Sequence, residues 1–305
     1  MAIQWLRCGH HVYVVSTHDG SEAACMMLYH LLLQSVKRQQ SAGVSPGQPH
    51  YLQYDLDDDK KNEAEKAIND LSQAATGGSL YIIADEVGGY YRSPYFYKVC
   101  DKLLTQVSDL HLWASSCFHG HAPDGWQEEC LTRPLRSPPA VVREVEQDDF
   151  ITKHGDVKPY TERGHSGDRP GDCVTCGRDV ASFLLSLRVG VTENVTTTAT
   201  TVSSTNGGTT PPCLQWRDVL VLYWNDISDD SGMMKGLEEA SIPVRVMKDD
   251  DIEDVSTARS DVVWVTSGES VCGLERKVVI CVEDNVLARF YCMSRCTSQL
   301  VIVYS

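Results

Sequence analysis

No stretch of these 305 residues approaches the run of about 18–20 apolar residues that a bilayer-spanning helix requires, so no membrane partner is expected. The opening, Met1-Ala-Ile-Gln-Trp-Leu-Arg7, lacks the basic segment and long apolar core of a secretory signal. Positive charge is scarce: 27 Lys and Arg face 42 Asp and Glu, for a net charge of -15. The deficit is evenly spread, with 12 basic against 20 acidic residues up to position 150 and 15 against 22 beyond it. Neither half carries the clustered cations of a broad nucleic-acid footprint, which leaves room only for a local basic channel. A second C-x-x-C at zinc-finger spacing is also missing. The twelve cysteines are irregularly spaced, as reduced thiols are, and a disulfide framework is not expected. Together these absences predict an intracellular chain, cytoplasmic or nuclear.

What is present is enough apolar material, 42% of the residues, for one large or two ordinary domains. His11 to Thr17 is a β-branched and aromatic run bounded by His18-Asp19-Gly20, and it predicts a buried strand. From Ser21, the expected N-cap, Ala24, Met27, Leu28, Leu31 and Leu32 recur at helical spacing. A short strand at Tyr51–Tyr54 precedes a helix from Asp57 to about Ala74, its first acids suited to the positive end of the helix dipole. A helix over Tyr95–Val107 and a buried strand over Leu110–Ser116 follow. Residues 155–177 form a Gly/Pro/charge-rich linker, and Asp179–Arg188 a helix. Val195–Pro212 holds eight threonines and is expected to be disordered. Order resumes with strands at Asp218–Tyr223, Val244–Met247, Asp261–Thr266, Lys277–Val282 and Leu300–Tyr304, and a helix at about Ser231–Ala240. Strands alternating with helices imply parallel α/β sheets.

Several segments carry chemistry. Ser79–Val87 is an apolar strand that ends in Asp85-Glu86, two carboxylates at the carboxyl edge where open α/β sheets bind ligands. Arg136, in Leu131-Thr-Arg-Pro-Leu-Arg136-Ser-Pro138-Pro139, is a permanent fork-shaped cation just before a proline-initiated helix. Near the end, a strand runs into Ser267-Gly268-Glu269-Ser-Val-Cys272-Gly273-Leu274-Glu275, a strand–polar loop–strand layout that suits ligand contact. Arg289-Phe-Tyr-Cys-Met-Ser294-Arg295 then precedes the last strand. Cys173-Val-Thr-Cys176, near His165, fits either a metal site or a loop with two free thiols. His119 and His121 fall in a loop without a matching ligand pattern, and the sequon Asn194-Val-Thr196 has little meaning in an intracellular chain.

The order and spacing of these segments resemble motifs Ia, II, IV, V and VI of superfamily 1 helicases. The motif II resemblance implies that Asp85 holds Mg²⁺ and that Glu86 orients and activates the attacking water. Motif IV implies phosphate binding by Arg136. In motif V, Ser267, Glu269, Gly273 and Glu275 fall where the family has Ser/Thr, an acidic residue or His, Gly and Glu, the last reaching the ribose; Cys272 departs from the usual Lys or Gln. In motif VI, Arg295 of the Ser294-Arg295 pair reaches the γ-phosphate. Ser16-Thr17 and Ala23-Ala24 match motif Ia, which implies that Ser16, Thr17 and Ser267 contact a single strand; an ordinary β-α unit explains the first four residues equally well. Ser115 and Ser116 stand where motif III belongs, without its Gly-Asp-x-x-Gln.

The resemblance implies two RecA-like parallel-sheet domains, residues 1–153 and 178–305, with a linker at 154–177 and a disordered insert at about 192–213. An ATP cleft would lie between Asp85 and Glu86 on one wall and Arg136, Glu275 and Arg295 on the other, with ATP and Mg²⁺ as cofactors. The relative implied is an ATP-dependent helicase or translocase of the UvrD-like, RNA-decay-helicase-like or Schlafen-like branch, and Glu269 leans toward the latter two. No Gly-x-x-x-x-Gly-Lys-Ser/Thr string occurs, so the first domain is expected to lack its N-terminal strand and P-loop, as a fragment cut just after that motif or as a degenerate form with little ATPase activity. The alternative is a non-catalytic, helicase-like scaffold with protein partners in a larger chain.

Overall fold

A computed structural model describes residues 1–56, 60–75, 77–87, 94–116, 125–127, 173–189, 200–203, 214–223, 228–283 and 296–304. The chain is α/β and divides into two compact units, Met1–Cys130 with Ser270–Leu274, and Leu131–Glu269 with Glu275–Ser305.

The first unit contains α1 (Ala2–Arg7), β1 (Val12–Ser16), α2 (Asp19–Ser41), β2 (Pro49–Gln53), α3 (Lys61–Ala74), β3 (Ser79–Ala84), α4 (Pro94–Gln106) and β4 (Asp109–Ala114). Its four described strands are all parallel in the order β2-β1-β3-β4. Alternation along the strands divides the apolar residues between two faces. Val12, Val14 and Tyr81 pack with Leu6 of α1 and Cys25, Leu32 and Val36 of α2. Val15, Leu80, Ile82 and Ala84 pack with Leu71 of α3 and Phe96, Val99 and Leu103 of α4. Helices therefore cover both faces, as a parallel sheet requires.

The second unit contains α5 (Val174–Val189), β5 (Thr200–Ser203), β6 (Val219–Tyr223), α6 (Gly232–Glu239), β7 (Val244–Val246), α7 (Ile252–Thr257), β8 (Val263–Ser267), β9 (Arg276–Glu283) and β10 (Cys296–Tyr304). Its six described strands run β5-β10-β9-β6-β8-β7, all parallel except β5, which pairs antiparallel with β10. Every residue of β6 is buried. Val219, Val221, Val263, Val265, Val278 and Ile280 pack against Val180 and Leu184 of α5 and Met233 and Leu237 of α6. Arg276, at the start of β9, is also buried. Its guanidinium donates to the carbonyls of Val255 in α7 and of Glu275, and burial, partly offset by Asp218, lowers its pKa to about 10.

Sequence-based expectations differ from this structure in four places. The strand expected to be buried at Leu110–Ser116 is an edge strand among the described residues, with Trp113 45% exposed. Ser21 is not the N-cap of α2: His18 is, and Ser21 sits three residues on, completing a reciprocal capping box. The Thr-rich segment expected to be disordered contributes β5, because β-branched threonine also suits a strand. The last residues of the expected 155–177 linker belong to α5, which starts at Val174. No described helix is long and apolar enough to cross a membrane.

Candidate functional site

The strand order of the first unit creates a crevice. From β1 the chain crosses to β2 on one side, while from β3 it crosses to β4 on the other, so β1 and β3 are neighbours whose connections leave in opposite directions. Ligands of open α/β sheets bind outside the carboxyl ends of the strands at this kind of reversal. The residues delivered there are Ser16, Thr17 and His18 after β1 and Asp85 and Glu86 after β3.

The β1–α2 turn is tightly bonded. The Ser21 hydroxyl accepts the Thr17 and His18 backbone N–H groups at 2.9 and 3.3 Å and lies 2.8 Å from the Ser16 hydroxyl. Ser16 is fully buried and shares its hydroxyl with Ser21 and the His18 carbonyl. Thr17 is 1% exposed, and its hydroxyl, also buried, has no hydrogen-bond partner among the described residues. His18 bridges two elements: its Nδ1 accepts the Gly20 N–H at 3.1 Å, so its Nε2 is the nitrogen that donates to the Glu86 carbonyl at 2.9 Å. The imidazole thus caps α2 and holds the backbone after β3.

Asp85 and Glu86 are half-buried. The Ser115 hydroxyl, at the end of β4, donates to Asp85 Oδ1, which also accepts the Glu86 N–H at 3.1 Å. The Cys25 thiol of α2 donates to the carbonyls of Val15 and Asp85 at 3.3 and 3.6 Å. Burial pushes that thiol up to about 12; a backbone hydrogen bond with Asp85 opposes the shift, and the Asp85, Glu86 and Glu22 carboxylates add to it, so it remains a donor. Glu86 itself has φ +53°, a left-handed conformation that costs a non-glycine residue about 1 kcal/mol or more. Backbone strain of this kind concentrates at functional positions.

Ser270–Leu274 belongs to the same unit and brings Gly273 to the carboxylates. Gly273 has φ +75°, and a methyl group on it would lie 2.6 Å from Ala24 Cβ and 3.1 Å from Glu86 Cγ. Glycine is needed there for both the backbone angle and the close approach. Beside Asp85 and Ser115 opens a groove of about 660 Å³, its apolar lining including Leu28, Leu31, Leu32, Ile83 and Trp113.

Among the residues predicted from sequence, Ser16, Thr17, Asp85, Glu86 and Gly273 therefore lie in the first unit, joined by Ser115. Ser267 ends β8 in the second unit, where its hydroxyl accepts the Glu269 N–H at 3.3 Å, and Glu275 precedes β9 there. Arg136, Ser294 and Arg295 lie outside the described residues. Sequence reasoning missed His18, because an imidazole is an unusual cap, and Cys25, which looks like one more apolar residue of α2. Among the described residues no three His, Cys, Asp or Glu side chains cluster as a metal cage. Asp85 with serine hydroxyls is a sparse set of hard oxygen donors. It suits Mg²⁺, which is commonly held by one or two carboxylates, water and substrate phosphates. Comparison with known protein families and with curated proteins finds no match for this sequence.

Proposed function

We propose that the chain is a superfamily 1 helicase-type module whose first unit binds a Mg²⁺–nucleoside triphosphate at the carboxyl edge of its sheet, next to a site for single-stranded nucleic acid. The reading is carried by one observation: Asp85-Glu86, Ser115 and Gly273, from three distant segments, meet at the strand reversal, with His18 bonded to the Glu86 carbonyl. In this reading Asp85 holds the metal, with Ser115 fixing its carboxylate. Mg²⁺ supplies neutralisation of phosphate charge. Glu86 is the group that orients water, its backbone held by His18. The buried Thr17 hydroxyl, without a partner among the described residues, is available to a ligand oxygen. The two parallel sheets are taken as RecA-like domains, and the motif order II, IV, V and VI supports that reading.

Hydrolysis by these 305 residues is expected to be slow. The Gly-x-x-x-x-Gly-Lys-Ser/Thr string that cradles phosphates is absent from them, and loss of even one preorganised electrostatic donor typically costs about 3–4 kcal/mol in a transition state. An ATPase rate typical of helicases that Glu86→Gln abolishes would refute slow hydrolysis. A second reading, a non-catalytic interaction module, is favoured by the net charge of -15 and by the apolar groove that Trp113 of β4 helps to line. Filter binding of single-stranded oligonucleotides between 50 and 200 mM salt separates the two at about those concentrations. The helicase-type module shows an affinity that falls steeply with salt, and a scaffold shows none.

A further inference from the structure

The first turn of α5 carries the only C-x-x-C of the sequence, and neither thiol belongs to the site above. Cys173 stands directly before Val174, where the helix starts, and its sulfur accepts the Cys176 backbone N–H at 3.3 Å. That bond reaches from the N-cap side chain to the third helical residue, a span normally closed by a Ser or Asp oxygen. The Cys173 carbonyl accepts the Gly177 N–H at 3.2 Å, so the turn is regular through both cysteines. The thiols differ in access: Cys173 is half-buried and Cys176 is buried. A backbone N–H aimed at Cys173 Sγ from a helix N-terminus stabilises negative charge on the sulfur while it attacks. The turn is also anchored from behind, since a methyl group on Gly177 would lie 2.6 Å from the Met233 carbonyl oxygen of α6. One accessible sulfur, one sheltered sulfur and a fixed turn between them make a pair set up for ring closure.

We propose that Cys173 and Cys176 form a reversible dithiol–disulfide couple that exchanges with small disulfides such as oxidised glutathione. The Cys173 thiolate attacks one glutathione sulfur, breaking its S–S bond and releasing one glutathione thiolate. Cys176 then loses its proton to solvent, and its sulfur attacks Cys173 Sγ and expels the second glutathione thiolate. The protein loses two electrons and two protons, and one oxidised glutathione becomes two reduced ones. Burial first, and then the hydrogen bond and charge of Cys173, push the Cys176 thiol up to about 12, so the closing step quickens as pH rises.

The test incubates the full chain in glutathione buffers of graded redox ratio, quenches with acid, and maps peptides by mass spectrometry. The couple predicts a 173–176 peptide lacking two hydrogens, reopened by reduced glutathione, while the buried Cys25 and Cys100 stay unmodified. Cys176→Ser stops at glutathionylated Cys173, and Cys173→Ser leaves Cys176 unreacted. Closure in the wild-type chain speeds up between pH 7 and 9, a readout that holds even if a variant fails to fold. Three results overturn the proposal: stable glutathionylation of Cys173 without closure in the wild type, reaction of Cys176 in Cys173→Ser at the wild-type rate, or stoichiometric zinc on the pair that keeps both thiols reduced.

Discussion

The two sheets use the same parallel strands but place burial differently. In the second unit β6 lies between β9 and β8, and Val219–Tyr223 is buried from end to end, as is Val263–Thr266 of β8. In the first unit β4 is the edge strand among the described residues, Trp113 on it is 45% exposed, and the residues that follow β3 are half-buried carboxylates. A strand buried on both faces has to be apolar throughout, because an unpaired polar group costs about 1–3 kcal/mol there. Hydroxyls and carboxylates collect instead where the sheet meets solvent. The difference teaches that the second unit concentrates packing energy in its middle strands, while the first spends sequence on a polar edge and tolerates strain at Glu86.

The sharpest break of this comparison pairs two truncations. Leu222→Ala, in the middle of the six-stranded sheet, is expected to cost about 2–5 kcal/mol in urea unfolding. Trp113→Ala, at an exposed position of the other, is expected to change stability by about 1 kcal/mol or less. Equal losses would erase the distinction. Next in size is Gly273→Ala, which forces a methyl group toward Ala24 and Glu86 in a left-handed backbone and should destabilise the first unit by about 1–3 kcal/mol. No loss on that substitution would mean the loop is not held against the carboxylates. Strain at Glu86 makes an opposite prediction: Glu86→Gly should raise stability by up to about 1 kcal/mol, since glycine adopts φ +53° without penalty. A drop would show that the side chain contributes more than its backbone costs.

The smallest effect concerns pH. Burial first, and then the neighbouring His11, whose Nδ1 lies 3.0 Å from His50 Nε2, hold His50 below the ordinary histidine range. The unfolded chain therefore binds this proton more readily. The contribution of neutral His50 is present above about pH 6.5, the ordinary histidine value, and is lost as pH falls from there through the lower folded-state value. The thermal midpoint of the wild type should thus fall more between pH 7.5 and 5 than that of His50→Gln, and parallel curves would remove His50 from the account.

Much of the fold was legible because β-branched runs such as Val219–Tyr223 and Lys277–Val282 have one stable fate, a buried parallel strand, and Ser231 before an apolar-periodic stretch marks a helix start that α6 confirms with a hydroxyl bond to Met234 N–H. Asp85 and Glu86 were legible as carboxylates delivered by an apolar strand. The exposure of Trp113 was not, since Leu110-His-Leu-Trp113 has the composition of an inner strand and only its neighbours decide its burial. His18 was hidden because capping by an imidazole needs the turn geometry that Ser21 sets up. Gly273 could be matched to a motif, but its contact with Ala24 and Glu86 is a tertiary fact that no local pattern carries. Threonine suits both strands and solvated loops, so β5 had no distinguishing signal.

The most direct test of the central claim is a fluorescence titration of the chain with a nucleoside triphosphate analogue, with and without Mg²⁺, for the wild type and Asp85→Asn. The account predicts saturable binding that requires Mg²⁺ and weakens at least tenfold, about 1.4 kcal/mol, in folded Asp85→Asn. No binding by the folded wild type, or binding indifferent to both Mg²⁺ and Asp85, would contradict it.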